Sequence, residues 1–595
     1  MSLRQPYSGS QRKLVLAFDV GTTFSGISYS ILDPGEVPEI RGVTRYPAQE
    51  HVGGDSKIPT VIQYDKQGRV QAVGAEALQE TVEEIAEEEE WPPRTEWFKL
   101  HLRPKTKSAS HVTQTIPPLP EGKTATEVFA DFLRYLYQCA RTYIEETHAN
   151  GVDLWRNLES RTDFVLTHPN GWEGAQQSLM RRAAVLAGLI PDSPAGQRRL
   201  SFVTEGEASL HFCISSGLTT EAIKQGKGIL IVDAGGGTID ISAYKQASQD
   251  IKSFEEMAAP QCHFQGSIFV TNNAKSYLEK FLKGSRFVND IPYITKVFDK
   301  TTKLRFRNAE DAQFIKFGGI RDKDPALNIR SGQLKLLGTD VAAFFEPSVE
   351  CIANSIEQQR AASKTAIASV FLVGGFAASD WLFNNLKDRF SAYGLDISRP
   401  DSHVNKAVAD GAISFYLDHF VGARVSKHAY GTNYAAVFQP NNPEHIARMS
   451  QKFVASDGRV LISGAFDVIL PKACPLSEVQ EFRQSYCLMS RNRTDLQSVS
   501  SSIRCYRGEN TNPRWLDVDR KMYSTLCVVT ADTSQVPVPL CYSINSNSMY
   551  YRIEIDIILS FGMTELKAQI AWNENGVEKR SPAEIVYEPD ELTHN

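Results

Sequence analysis

Several features are missing from this 595-residue chain, and each absence excludes a class of protein. No apolar run is long enough to span a bilayer, and the polar residues 1–12 do not resemble a signal peptide. The nine cysteines form no Cys-x-x-Cys pair and no cluster with histidine, which disfavours a zinc site and fits reduced thiols. The formal net charge of −6 leaves no surplus of cations for general nucleic-acid binding. We therefore predict a cytoplasmic protein with no membrane span and no nucleic-acid partner.

Two common nucleotide-binding motifs are also absent. The chain has no Gly-x-x-x-x-Gly-Lys-[Ser/Thr] run, because residues 122–124 lack the upstream glycine and the preceding strand. No Gly-x-Gly-x-x-Gly opens a helix, which disfavours a dinucleotide site. Phosphate sites of these two kinds are therefore excluded.

One pattern does occur twice: an apolar strand ends in Asp-x-Gly, hydroxyl residues follow, and a second strand begins. A glycine turn lets backbone N–H groups reach phosphate oxygens, and threonine hydroxyls add donors. Because carboxylates repel phosphate, the natural role of the two aspartates that end the strands is to hold Mg²⁺. The pattern predicts a duplicated fold with two phosphate-binding hairpins, and nucleotide as the ligand. Its residues are Asp19, Gly21, Thr22 and Thr23 in the first copy, and Asp233, Gly235, Gly236, Gly237, Thr238 and Asp240 in the second.

A third glycine motif follows the apolar residues 370–373. Here a strand leads to Gly374 and Gly375, and a helix follows. Such a pair lets a flat base or a ribose lie against the backbone. Alone it is usually only a tight turn, but in the order hairpin, hairpin, strand–Gly–Gly–helix it is more specific.

Up to about residue 420, strand-like and helix-like segments alternate, which indicates an α/β fold. Residues 126–148 have apolar side chains at helical spacing, with Thr124 or Thr126 as the N-cap and Glu127 in the first turn. Further helices are predicted at about 173–189, 340–359 and 380–390, and strands at 164–167 and 370–373. Two segments look like surface insertions: the acidic run 83–90, as a solvated helix face or a flexible loop, and the loop 105–123.

Beyond residue 420 the pattern changes to short β-prone runs separated by Asn, Pro, Gly and Ser. Tyr551, Ile553, Ile555 and Ile557 alternate with polar or smaller residues, as in a half-buried strand. We therefore predict two domains, an α/β nucleotide-binding domain over residues 11–420 and a smaller β-rich domain over residues 426–587.

The order of the three glycine motifs resembles that of the actin/hexokinase/heat-shock ATPase superfamily, and within it the 70-kDa heat-shock protein family. Residues 163–169 are similar to the segment before that family's first connecting motif. Residues 202–209 resemble the first connecting motif, and residues 407–412 resemble the second. The resemblance covers about residues 13–420.

The resemblance implies a duplicated, ribonuclease-H-like (actin-like), two-lobed ATPase domain that binds ATP or ADP with Mg²⁺ and hydrolyses ATP slowly. It implies that Asp19 and Asp233 hold Mg²⁺ through water, and that Glu205 and Asp240 position water or magnesium. The two hairpin turns, with Thr22, Thr23 and Thr238, would hold the phosphates, and Gly374 and Gly375 would border the nucleoside.

Two lysines match positions that bind nucleotide in the family. Lys99 sits where the family places a lysine that touches the attacking water or the γ-phosphate, and its alternative is an exposed helix lysine. Lys303 is placed to stack on adenine, and its alternative is a solvated helix face.

The chain departs from the family pattern in several places. Gly206 replaces the usual proline of the first connecting motif, which suggests a softer hinge. Residues 376–378 replace polar residues that contact adenine, although Phe376 could stack on the base instead. Residues 421–427 lack the family's aspartate-and-leucine linker, and no helical lid follows the β-rich domain. These departures resemble a divergent, lidless branch of the family.

Three functions remain open on the sequence. The first is a chaperone-like ATPase whose nucleotide state controls binding of a peptide or protein client, with co-chaperones as further partners. The second is a small-molecule kinase of the same superfamily, such as a sugar kinase, for which no additional carboxylate base motif is found. The third is an ATP-sensing scaffold without hydrolysis.

Overall fold

The computed structural model describes residues 4–51, 56–104, 112, 116–172, 174–217, 226–247, 253–400, 406–477, 480–562 and 565–585. Most of the predicted loop 105–123 and the last residues of the predicted second domain lie outside these ranges. The chain divides into two compact units. The first holds Met1–Trp172 and Leu179–Val421, and the second holds Glu173–Ser178 and Gly422–Asn595.

The residues before the unit boundary at 421 form a mixed α/β structure, as predicted. Their strands are β1 (Lys13–Val20), β2 (Phe24–Leu32), β3 (Arg41–Gly42), β4 (Ile58–Pro59), β5 (Val61–Tyr64), β6 (Val70–Val73), β7 (Thr95–Glu96), β8 (Thr162–His168), β9 (Leu200–Thr204), β10 (Gly228–Ala234), β11 (Ile239–Gln246), β12 (Phe254–Glu256), β13 (Gln261–His263), β14 (Gln313–Lys316), β15 (Ile329–Arg330), β16 (Gln333–Leu336), β17 (Ile367–Val373) and β18 (Asp396–Ser398). Their helices are α1 (Glu80–Glu88), α2 (Ala125–Thr147), α3 (Gly151–Leu158), α4 (Gly174–Leu186), α5 (Pro194–Gln197), α6 (Glu205–Ser215), α7 (Ser267–Phe281), α8 (Ile291–Val297), α9 (Lys303–Arg305), α10 (Gly338–Ala362), α11 (Asp380–Ser391) and α12 (Ala407–Asp418).

Two sheets of the first unit share one strand order. β1 pairs antiparallel with β2 and parallel with β8, and the first sheet has the order β3-β2-β1-β8-β9. β10 pairs antiparallel with β11 and parallel with β17, and within this unit the second sheet has the order β12-β11-β10-β17-β18. Parallel strands end at the same edge of a sheet. The turn after β1 therefore lies beside the residues that end β8, and the turn after β10 beside those that end β17.

Helix α2 shows how local sequence sets an element boundary. The amide of Glu127 donates to Oγ1 of Thr124 at 3.2 Å, and the Thr124 amide donates to the Glu127 carboxylate at 2.8 Å. This capping box starts the helix at Ala125, and it selects Thr124 over Thr126 as the cap. The helix buries Phe129 and Phe132 in the core of the first sheet. The acidic run 83–90 is largely helical, in α1, and it buries no side chain.

The two connecting motifs lie on helices α6 and α12, which touch each other. A Cβ placed on Gly411 of α12 would lie 1.8 Å from the carbonyl oxygen of Ala208 on α6, so the backbones are in direct contact. A Cβ on Gly206 would lie 2.6 Å from Oγ of Ser242. Lack of space therefore explains the glycine at position 206, where the sequence suggested a softer hinge.

The second unit is rich in β-structure. Its elements are β19 (Val421–Val425), β20 (Ala429–Val437), β21 (Lys452–Val454), β22 (Val460–Leu470), β23 (Pro475–Ser477), β24 (Glu481–Ser490), β25 (Ser498–Tyr506), β26 (Tyr523–Asp532), β27 (Leu540–Ser543), β28 (Ser548–Gly562), β29 (Glu565–Glu574), β30 (Val577–Arg580), β31 (Glu584–Ile585) and α13 (Pro443–Ile446). One sheet has the order β21-β22-β20-β25-β26, and the other contains β24-β28-β29-β30. Residues of both sheets share one hydrophobic core that includes Ile503, Val529, Ile555 and Ile570.

In the second unit, the predicted alternation along β28 is confirmed, and the segment expected to be a linker forms a strand. Ile553, Ile555 and Ile557 of β28 are buried on one face, as their alternation predicts. In the described parts of residues 422–585, the four-residue α13 is the one α-helix, so no helical lid is present there. The residues 421–425, expected to form a linker, are a strand that pairs with β23.

Two further findings concern membrane-spanning helices and the state of the cysteines. Across the described residues, no helix combines the length and the apolar character that a bilayer crossing requires. All nine cysteines are described, and each is a free thiol.

Candidate functional site

The turns of the two hairpins meet in the first unit. A Cβ placed on Gly236 would lie 2.4 Å from Oγ1 of Thr23, and a Cβ on Gly237 would lie 2.3 Å from Oγ1 of Thr22. The threonines of the first turn thus occupy the space that side chains would need on the second. The residues that the sequence predicts to hold phosphate are therefore brought together from chain positions about 200 residues apart.

The start of helix α7 is hydrogen-bonded to the carbonyl oxygens of the second turn. The amides of Gly266, Ser267 and Ile268 donate to the carbonyl oxygens of Gly237, Gly235 and Gly236 at 3.3, 3.1 and 3.0 Å. Within the turn, the amide of Gly235 donates to the carbonyl of Thr238 at 2.9 Å. Carbonyl oxygens would repel a phosphate, so engaging them with the helix start leaves the turn suited to an anion.

The third glycine motif lies against the second hairpin. Gly374 has a φ of +89°, and a Cβ on it would lie 2.3 Å from Oδ1 of Asp233. The parallel pairing of Asp233 with Val373 causes this approach. Only glycine meets both the backbone conformation and the close contact. Gly375, the next residue, is exposed.

Lys99 lies in a buried ion pair. It is 2% exposed, and its Nζ donates to Oε1 of Glu205 at 2.5 Å. The ammonium also lies 5.8 Å from the centre of the Trp172 ring. The alternative of an exposed helix lysine is therefore wrong. Glu205 is the first residue of α6, and the pair joins the first connecting motif to the short 3₁₀ helix Phe98–Leu102.

Asp233 and Asp240 are paired residues on the second hairpin, and both are buried. Oδ2 of Asp233 accepts a hydrogen bond from Oγ of Ser209 at 3.0 Å. Oδ1 of Asp240 accepts a hydrogen bond from the amide of Asn170. Asn170 also donates through Nδ2 to Oγ of Ser242 at 3.0 Å. The sequence analysis missed Asn170, whose position after β8 was the one available signal.

The most informative residue that sequence reasoning missed is Lys57. Its Nζ donates to Oδ2 of Asp19 at 2.7 Å, while Oγ1 of Thr167 donates to Oδ1 at 3.2 Å. Both carboxylate oxygens of Asp19 are therefore engaged by side chains. No glycine or repeated pattern marks Lys57 in the sequence, and its pairing partner is seen only once the strands are in place.

Burial and crowding raise the pKa values of the carboxylates. Burial, with repulsion from Glu205 and Asp19, raises the pKa of Asp233 to about 7. Burial and repulsion from Glu205 and Asp233 also raise the pKa of Asp240. Burial raises the pKa of Glu205, and attraction to Lys99 partly opposes this. Burial disfavours the charged form of Lys99, but attraction to Glu205 and Asp19 outweighs it and raises the Lys99 pKa.

Replacing Asp233 by asparagine is expected to change how stability depends on pH. A carboxylate whose folded pKa is raised stabilises the fold below its ordinary pKa and loses that contribution as pH rises towards 7. For Asp233 the loss between pH 5 and pH 8 is about 2–3 kcal/mol. From pH 5 to pH 8, the free energy of unfolding of Asp233→Asn should therefore rise by about 2–3 kcal/mol relative to that of the wild type. Urea unfolding in EDTA at both pH values measures it.

Asp153→Asn provides the matched control for this experiment. Asp153 is an exposed aspartate that pairs with Arg156 at 2.7 Å. Because Asp153 is exposed, its substitution should change the free energy of unfolding by no more than about 0.5 kcal/mol at either pH. The prediction would be contradicted if the free energies of unfolding of Asp233→Asn and the wild type differed by the same amount at pH 5 and at pH 8.

Lys303 and Phe376, which the sequence suggested for contact with the base, are both buried. Lys303 is 8% exposed, and its Nζ donates to Asp299 and to Oγ1 of Thr271 at 3.1 Å, so it is not on a solvated face. Phe376 is 4% exposed, and its ring centre lies 6.1 Å from that of Phe345 on α10. Because its ring is packed into the core, the suggestion that Phe376 stacks on a base is wrong.

The residues around the two turns are chemically suited to an anion and to a hydrated Mg²⁺. In the described part of the chain, no three His, Cys, Asp or Glu side chains are placed to hold a metal ion. The donors around the two turns are oxygens, and Mg²⁺ prefers oxygen ligands and keeps several of its waters. A Cβ on Gly236 or Gly237 would meet a threonine of the first turn, so only glycine lets the two turns approach this closely. These oxygen donors fit Mg²⁺, and its binding through water stays a prediction.

The mixed α/β fold and its paired hairpins are consistent with the actin-like ATPase fold that the sequence predicts. Human heat shock 70 kDa protein 12B is 23% identical over an alignment that covers 80% of this chain and 78% of that protein. Human heat shock 70 kDa protein 12A is 22% identical over 93% of this chain and 89% of that protein. No protein-family model matches the chain. The resemblance seen in the motifs is thereby confirmed as a distant but extensive homology to human heat shock 70 kDa proteins 12A and 12B.

Proposed function

We propose that the first unit binds ATP and ADP with Mg²⁺ and hydrolyses ATP slowly to ADP and phosphate. The observation that carries this proposal is the contact between the two hairpin turns, Thr22 against Gly237 and Thr23 against Gly236. The homology to heat shock 70 kDa proteins supports it. We infer from the shared strand order that the two sheets are the lobes of a duplicated, ribonuclease-H-like domain.

The residues have distinct tasks in this proposal. The threonines and amides of both turns bind phosphate oxygens, and Asp19 and Asp233 hold the waters of Mg²⁺. Lys99 and Glu205 orient the attacking water, and Asp240 is a further proton acceptor beside them. Mg²⁺ would supply positive charge that offsets the charge of the phosphates. The chain itself supplies positioning and charge stabilisation, which are the main requirements of phosphoryl transfer.

We propose further that the second unit binds a peptide or protein, and that the nucleotide state controls this binding. The alignment with heat shock 70 kDa protein 12A covers 93% of this chain, so it includes part of the second unit. A β-rich unit with its own core, outside the glycine motifs, is suited to a task separate from nucleotide binding. Co-chaperones are the additional partners that such an activity implies.

The substitution Gly236→Ala tests the nucleotide site. The added Cβ would lie 2.4 Å from Oγ1 of Thr23, so one turn has to move away from the other. We expect the affinity for ADP with Mg²⁺ to fall at least about tenfold, a loss of about 1.4 kcal/mol in binding free energy. Isothermal titration calorimetry with the full-length protein measures the affinity, and single-turnover assays measure hydrolysis.

The matched control is Gly319→Ala. A Cβ there would have one neighbour, Oδ2 of Asp322 at 3.7 Å, which is an ordinary contact. This variant should bind ADP as the wild type does. Equal affinity of Gly236→Ala and the wild type would show that the second turn does not bind phosphate.

A nucleotide sensor without hydrolysis is the second candidate function. Both oxygens of Asp19 are engaged, by Lys57 and Thr167, which leaves this carboxylate less available to a hydrated cation. Single-turnover assays separate the two candidates. ATP binding without any release of phosphate would favour the sensor.

A further inference from the structure

Lys57 is placed by the strand pairing of the first sheet. It immediately precedes β4, whose Ile58 pairs with Ser25, and Asp19 pairs with the next residue, Gly26. A Cβ on Gly26 would lie 3.5 Å from Cγ and 3.6 Å from Cε of Lys57. The lysine stem therefore lies across Gly26, where no side chain intervenes, and this path leads its ammonium to Asp19.

The ammonium is only partly used by this contact. It carries three N–H groups, and within the described residues Asp19 is its one hydrogen-bond acceptor. The Lys57 side chain is 19% exposed, whereas that of Asp19 is 4% exposed. Lys57, the more exposed partner of the pair, therefore keeps N–H groups that can donate to a ligand.

The charge of the surrounding site explains why a lysine is useful here. Four buried carboxylates, those of Asp19, Glu205, Asp233 and Asp240, surround the turns that are suited to an anion. Lys99 pairs with Glu205 and also attracts Asp19, but its single positive charge does not balance four carboxylates. Without another cation these carboxylates would repel a phosphate. Lys57 supplies that cation from the chain itself.

We propose that Lys57 is a tethered cation of the nucleotide site, which holds Asp19 and donates to a phosphate oxygen so that nucleotide binds without Mg²⁺. This inference rests on the proposed nucleotide binding and concerns its dependence on metal. A covalently held ammonium is always present at the site, whereas a hydrated Mg²⁺ must be recruited from solution. The site is therefore expected to bind ADP and ATP whether or not they carry a metal.

Calorimetry with ADP tests the proposal, using the full-length protein in EDTA and in excess Mg²⁺. The wild type should bind ADP in both conditions. Lys57→Met keeps the length of the side chain and removes its charge, and it should weaken binding in EDTA about ten- to a hundredfold. In excess Mg²⁺ the loss should be no more than about threefold, because the metal supplies the missing charge. Lys57→Arg should restore binding in EDTA.

Lys66→Met is the control for removing a lysine charge elsewhere. Lys66 is an exposed lysine paired with Glu90 at 2.9 Å, and its substitution should leave both affinities unchanged. Binding in Mg²⁺ also shows that Lys57→Met is folded. An equal loss in both conditions, or no loss in EDTA, would overturn the proposal. A wild type that binds ADP only with Mg²⁺ would overturn it and leave the proposed function intact, and no binding in either condition would overturn both.

Discussion

Lys99→Met is expected to lower the free energy of unfolding by about 3–5 kcal/mol, the usual cost of removing one partner from a buried ion pair. Its partner Glu205 would stay buried close to Asp19, and both its burial and the charge of Asp19 oppose its ionisation. The hydrophobic stem of methionine fills much of the space, so loss of packing is a minor part of this cost. Hydrolysis should fall as well, because Lys99 orients the attacking water in the proposed function.

A double-mutant cycle with Glu205→Gln measures the energy of this pair. Adding Glu205→Gln to Lys99→Met should recover most of the lost stability, because no buried charge is left without a partner. Urea unfolding in EDTA at pH 7.5 gives the four values. A loss below about 1 kcal/mol for Lys99→Met, the range of an exposed pair, would contradict the buried arrangement.

Gly411→Ala is expected to cost about 3 kcal/mol or more, because the new Cβ would lie 1.8 Å from the carbonyl oxygen of Ala208. The obstacle is the backbone of α6, which cannot rotate away as a side chain can. Alanine is favoured over glycine inside a helix by about 1 kcal/mol, so intrinsic helix propensity acts in the opposite direction. The steric term is larger, and the two connecting helices have to separate.

Thermal unfolding compares Gly411→Ala with Gly319→Ala, whose Cβ has only an ordinary contact. The midpoint should fall for the first variant and stay near that of the wild type for the second. Nucleotide affinity should fall too, because α6 begins at Glu205. A midpoint for Gly411→Ala at or above the wild-type value would show that α6 and α12 do not pack in this way.

Local signals predicted much of the fold. The apolar spacing and the Thr124 cap place α2, and the alternation along β28 identifies its buried face. The hairpins were predicted because Asp-x-Gly and hydroxyl residues follow each apolar strand. These features depend on short stretches of chain, where spacing and turn chemistry decide the structure.

Residues that depend on long-range pairing escaped prediction. Lys57 reaches Asp19 only because β4 pairs with β2, and nothing in the residues around Lys57 encodes that pairing. Asn170 binds Asp240 across 70 positions of sequence. Stacking of Phe376 on the base was suggested because residues 376–378 replace family residues that contact adenine, but the core beside Phe345 buries its ring. Tertiary burial decided this case against local sequence.

The start of helix α7 is hydrogen-bonded both to the second turn and to Lys303. Its first residues hold the carbonyls of the second turn, and the carbonyl of Ser267 accepts a hydrogen bond from Lys303 at 3.4 Å. A chain of hydrogen bonds therefore joins the second turn, the start of α7 and Lys303. We therefore expect a substitution in the first turn of α7 to alter both the glycine turn and the lysine that is predicted to lie beside the base.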